Sequence, residues 1–146
     1  MATPRSDAPY DVLIVDDDAG DVLLIDEALT DRRIPHRLHT ASNGVEALEY
    51  LRDDSRPRPD LILLDLNMPR MNGREVLDQV KNDPALRQIP IVVLSTSTID
   101  QDVVASYDLH ANAYVTKPVD FDEFLRAVQR IDDFYLGIVR LPNRTV

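Results

Sequence analysis

A chain of 146 residues fits one domain, and a domain of that size buries roughly 70% of the surface its unfolded form exposes, enough for one good core. It has no cysteine, which excludes disulfides and thiolate metal sites and suits a reducing compartment. Sixteen basic against twenty-six acidic residues leave a formal charge of -10, which repels nucleic acid and argues against direct DNA binding.

Residues 1–9 read as a flexible lead-in without the hydrophobic segment of a signal peptide. No apolar run approaches the roughly 20 residues of a membrane span, so the expected location is the cytoplasm. The first strand is the short apolar run Val12-Leu13-Ile14-Val15, and the first helix carries Val22, Ile25, Ala28 and Leu29 at helical spacing. A weaker strand is expected over 37–40. The second helix follows with Val45, Leu48 and Leu51, and Asn43 three residues before Glu46 gives it a capping-box start. Leu61-Ile62-Leu63-Leu64 and Ile91-Val92-Val93-Leu94 are strands with a helix over 74–82 between them. Thr98, three before Gln101, opens another helix, and a fifth strand is expected at Ala113–Thr116, just ahead of Lys117 and Pro118. Asp120, three before Glu123, opens a last helix with Phe121, Phe124, Leu125, Val128 and Ile131 on one stripe and Gly137 to end it. The domain therefore spans 10–137, and a tail over 138–146 is too short for a helix-turn-helix. Its Ile138, Val139 and Leu141 need cover, either by packing back or by a dimer contact.

Five alternating β/α units read as an α/β fold, a doubly wound parallel sheet with helices on both faces, whose ligand crevice lies beyond the carboxyl ends of the strands. Asp16, Asp17 and Asp18 directly follow the first strand and Asp65 the third, so adjoining strands deliver several carboxylates to one edge. Like charges so close need a cation, and a hard divalent ion with oxygen ligands, Mg2+, suits them. Asp18 adjoins the first helix and serves equally well as its cap. Lys117 brings an ammonium to the same edge, and Ser95 closes the fourth strand with a hydroxyl that either bonds phosphate oxygens or caps the next helix. A carboxylate nucleophile, an acid-bound metal, a hydroxyl and a lysine together describe formation of an acyl phosphate. No nucleotide-binding glycine loop occurs. His36, His39 and His110 lack ligand spacing and read as incidental.

With LIVDDD at 13–18, LILLDLNMPRMNG at 61–73, IPIVVLSTS at 89–97 and YVTKP at 114–118, nearly the whole chain resembles the receiver domain of bacterial two-component response regulators. The resemblance implies a flavodoxin-like, five-stranded sheet of order 2-1-3-4-5. It implies a stand-alone phosphoacceptor that takes its phosphoryl group from a sensor histidine kinase onto Asp65 and promotes only its own phosphorylation and dephosphorylation. The metal pair falls on Asp16 and Asp17, joined by Asp65 and the main-chain carbonyl of Asn67. Ser95 and Lys117 fall where the family pairs with the phosphoryl group, and Tyr114 at the aromatic switch position. Asn67 and Ser97 fall where the family tunes hydrolysis. The readout would be the surface of the fourth helix, fifth strand and fifth helix, offered to a downstream protein or phosphotransfer partner. Ser95 departs from the threonine most often found there, and Asp18 extends the usual acid pair. SYDLHANAYVTKP and DDFYLGIVRLPN are similar to the small regulators serving bacterial phytochromes, which implies a homodimer through the last helix and tail. Two rivals have other marks. A haloacid-dehalogenase-type phosphatase would carry D-x-D after the first strand, and a receiver-like scaffold that never accepts phosphate usually lacks one of the acids or the lysine.

Overall fold

Strands form where branched aliphatic residues run together, and the runs sort themselves onto two faces by alternation. The computed structural model describes residues 9–31, 33, 35–66, 73–95, 113–116, 122, 123 and 126. Its elements in chain order are β1 (Tyr10–Val15), α1 (Ala19–Asp31), β2 (His36–Ala41), α2 (Gly44–Leu51), β3 (Leu61–Asp65), α3 (Gly73–Lys81), β4 (Ile91–Ser95) and β5 (Ala113–Thr116). All pairings are parallel: β1 lies between β2 and β3, β3 pairs on its other side with β4, and β5 registers against β4. The order 2-1-3-4 is the flavodoxin-like one expected.

Every residue of β1 and β3 is buried, as strands covered on both faces require. Val12, Ile14, Leu61, Leu63, Val92 and Leu94 turn to one face and pack against Ile25, Ala28 and Leu29 of α1. Leu13, Val15, Ile62, Leu64, Ile91 and Val93 turn to the other and meet Ala47, Leu48 and Tyr50 of α2 with Val76, Leu77 and Val80 of α3. Helices thus cover both faces. The edge position of β2 explains why its sequence, HRLHTA, is no apolar run: only Ala41 in it is buried.

Three expectations need correction. The stripe Val45, Leu48, Leu51 is rotated on α2, whose buried residues are Gly44, Ala47, Leu48 and Tyr50. The Tyr50 hydroxyl donates to the carbonyl of Pro57 at 2.9 Å, which draws the ring inward. The third helix begins at Gly73, not 74. His36 and His39 are not incidental: the His36 Nε2 lies 2.6 Å from Asp26 Oδ1 and the His39 Nε2 lies 3.0 Å from Asp11 Oδ1. The helix expected from Thr98, the stripe of the last helix, His110, Gly137 and the tail lie outside the described residues, although Asp122, Glu123 and Arg126 are helical.

Candidate metal centre

The site begins where β1 and β3 stop. Register pairs Val15 with Leu64, so the residues that follow, Asp16 and Asp65, emerge side by side at the carboxyl edge. The Asp16 amide donates to the Ala41 carbonyl at 3.0 Å, which holds its backbone to β2. Its carboxylate accepts the Asp18 amide at 2.8 Å and turns the chain toward α1. Asp18 is then spent on the helix: its carboxylate accepts the Gly20 amide at 2.8 Å and its carbonyl the Asp21 amide at 3.1 Å. Of the two roles open to it, the structure thus assigns Asp18 the cap.

One carboxylate oxygen from each of Asp16, Asp17 and Asp65 lies within 4.8 Å of the other two. Asp16 and Asp65 are 4% and 2% exposed, whereas Asp17 faces solvent. Like charges at that separation repel by roughly 3 to 4 kcal/mol per pair at an effective dielectric constant near 20. Three hard oxygen donors, two buried and one open to water, fit a divalent cation that keeps part of its shell for other oxygens. Among the described residues, this is the one cluster of acids and histidines with such an arrangement.

Other expected site residues converge only as backbone positions. Ser95 ends β4, with its Cα paired to that of Thr116, and Tyr114 is registered with Val93. Their side chains, together with Asn67, Ser97 and Lys117, lie outside the described residues. Gly73, the last residue of LILLDLNMPRMNG, joins the site only in the structure. Its amide donates to the Leu66 carbonyl at 3.2 Å, bringing the first turn of α3 against the strand end that bears Asp65. A glycine opening a helix just beyond a strand-end acid was the available signal.

Residues 12–129 match the response regulator receiver domain. The chain belongs to the receiver domain family. It is 43% identical over 142 residues to the response regulator Rcp1 of Synechocystis sp., covering 94% of this chain and 97% of that protein. The solved Mn2+-bound form of Rcp1 superposes with a TM-score of 0.75 at 42% identity, over 88% of this chain and 95% of the other. A phosphorylated cyanobacterial phytochrome response regulator, RcpA, gives 0.76 at 44% identity, over 90% and 96%. Receiver domains are components of two-component signalling, and the acid cluster of this one has the donor set of a divalent-cation site. Among the described residues no helix is long and apolar enough to cross a membrane.

Proposed function

We propose that this receiver domain accepts a phosphoryl group from a sensor histidine kinase on Asp65 and signals through a phosphorylation-dependent protein surface. The observation that carries the reading is the convergence of buried Asp65 with Asp16 and Asp17 at the carboxyl edge of the sheet. Mg2+ would be held by those three carboxylates and the main-chain carbonyl of Asn67, where it offsets negative charge on the acids and on the incoming phosphoryl oxygens. An Asp65 oxygen forms the new O–P bond as the P–N bond to the kinase histidine breaks, its electron pair returning to the imidazole. The Ser95 hydroxyl and the Lys117 ammonium then pair with phosphoryl oxygens, and Tyr114 follows Ser95 inward. Asn67 and Ser97 set how readily water reaches the acyl phosphate.

The same proposal includes the full strand order 2-1-3-4-5, with further helices after β4 and β5, a cytoplasmic location, and a homodimer through the last helix and the tail. The likeness to a phytochrome response regulator supports a kinase of the phytochrome type. The kinase would approach over the first turn of α1, where Ala19 and Gly20 are exposed beside the acids and Leu23 is 59% exposed. Intact mass after incubation with a small acyl-phosphate donor tests the core of the reading. One added phosphoryl group is expected, requiring Mg2+ and absent from Asp65→Asn. No addition to a folded, Mg2+-binding sample would point to a phosphate-independent scaffold.

A further inference from the structure

We infer that Gly73 is a positioning residue for Asp65: the bare Cα at the start of α3 lets that helix close onto the strand end and so sets where the Asp65 carboxylate stands. The inference rests on Asp65 being the phosphoacceptor. A Cβ at position 73 would stand 2.4 Å from the Asp65 carbonyl oxygen, 2.6 Å from the Leu66 Cα and 3.0 Å from the Asp65 carbonyl carbon. Carbon atoms in comfortable contact are roughly 3.5–4.0 Å apart. All three obstructing atoms are backbone, so no side chain can rotate to make room. None of the described glycines has a positive φ, so the demand at Gly73 is for space and not for a left-handed conformation.

Relief by tilting α3 is blocked. Val76, Leu77 and Val80 are fully buried against the sheet, and the Gly73 amide is bonded to the Leu66 carbonyl. The Leu66 amide in turn donates to the Leu94 carbonyl at 3.0 Å, which registers the Asp65–Leu66 peptide against β4. A methyl at 73 therefore displaces the Asp65–Leu66 backbone, and with it one corner of the acid cluster. Misplacement of a supporting group costs a metal site roughly ten- to a hundredfold in affinity, and an error of about 1 Å costs a reaction up to about a hundredfold in rate.

Gly73→Ala is compared with Val76→Ala, which opens a cavity in the same helix, in the core shared with Ile62 and Leu64. Mg2+ affinity is read by calorimetry, stability by urea denaturation in chelator, and phosphorylation rate with a small acyl-phosphate donor at saturating Mg2+. Gly73→Ala should bind Mg2+ about tenfold or more weakly and react more slowly even when saturated. Val76→Ala should lose stability while keeping the wild-type affinity and rate. Wild-type values in folded Gly73→Ala overturn the inference, as does an equal loss of affinity in Val76→Ala. If Gly73→Ala fails to fold, the wild-type Gly73 amide resonance decides: it should shift during Mg2+ titration with the midpoint of Asp65 and Leu66, and a silent amide overturns the inference. Failure of the wild type to phosphorylate would retire the proposed function instead, leaving the affinity comparison to judge Gly73.

Discussion

Asp11 lies in β1 on the face that α2 covers, 8% exposed, and its carboxylate accepts from Arg37 at 3.0 and 3.1 Å and meets His39 at 3.0 Å. Burial pushes its pKa up, but hydrogen bonds and positive charge from Arg37 and His39 outweigh that and hold it below the usual carboxylate range. A group depressed on folding stabilises the protein above its unfolded pKa of about 3.9, and the contribution is lost as pH falls through the lower, folded value. Asp11→Asn should therefore destabilise the protein at pH 7, by roughly 1 kcal/mol because the Arg37 partner is open to solvent, measured by urea denaturation, and the gap to wild type should narrow below about pH 4. A gap that stays constant down to pH 3 would assign the loss to packing and not to charge. This cluster was invisible in the sequence, because Arg37 and His39 stand 26 and 28 residues from Asp11. Lone histidines outside any ligand spacing gave no hint that strand register would bring them to carboxylates.

Helix α1 turns one stripe inward through Ile25, Ala28 and Leu29 and leaves Leu23 outward, the one large exposed apolar side chain among the described residues. If the kinase docks over α1 as proposed, Leu23 would touch a protein donor and not a small one. Leu23→Glu should lower kcat/KM for transfer from the cognate kinase by about tenfold or more, equivalent to about 1.4 kcal/mol, while leaving the rate with a small acyl phosphate unchanged. Equal slowing with both donors would mean that Leu23 shapes the acid site, and no slowing with either would remove α1 from the docking surface. The elements themselves were largely legible, since the runs at 12–15, 61–64 and 91–94 lie within β1, β3 and β4. The α2 start was legible too: Asn43 Oδ1 accepts the Glu46 amide at 3.0 Å, and Glu46 reaches back to the Ser42 amide at 2.9 Å. The buried face of α2 was not, because the contact that turns Tyr50 inward comes from a loop residue, Pro57. The steric role of Gly73 was hidden for the same reason: the atoms a Cβ would strike belong to a strand seven and eight residues earlier.

For the whole molecule, the strand-end acids were the most legible part of the site, because parallel strands with a common direction must deliver their following residues to one edge. The chain carries a formal charge of -10 and gathers three carboxylates within 4.8 Å, so cations can stabilise it in two distinct ways. General screening acts on the overall charge and depends on ionic strength. Occupation of the cluster is specific and follows mass action, so Mg2+ at about 100 times its Kd should add about 2.7 kcal/mol, a rise in Tm of roughly 5–10 °C for a domain near this size. Calorimetric melting with Mg2+, and with NaCl at matched ionic strength, separates the two. The wild type should gain the larger shift with Mg2+. Asp17→Asn, altered at the exposed corner of the cluster, should melt above the wild-type temperature in chelator, because one of three mutually repelling carboxylates is gone, and lose most of the Mg2+ shift while keeping the NaCl response. Equal shifts with both salts, or an undiminished Mg2+ shift in Asp17→Asn, would mean that the ions screen the acidic surface and do not occupy the cluster.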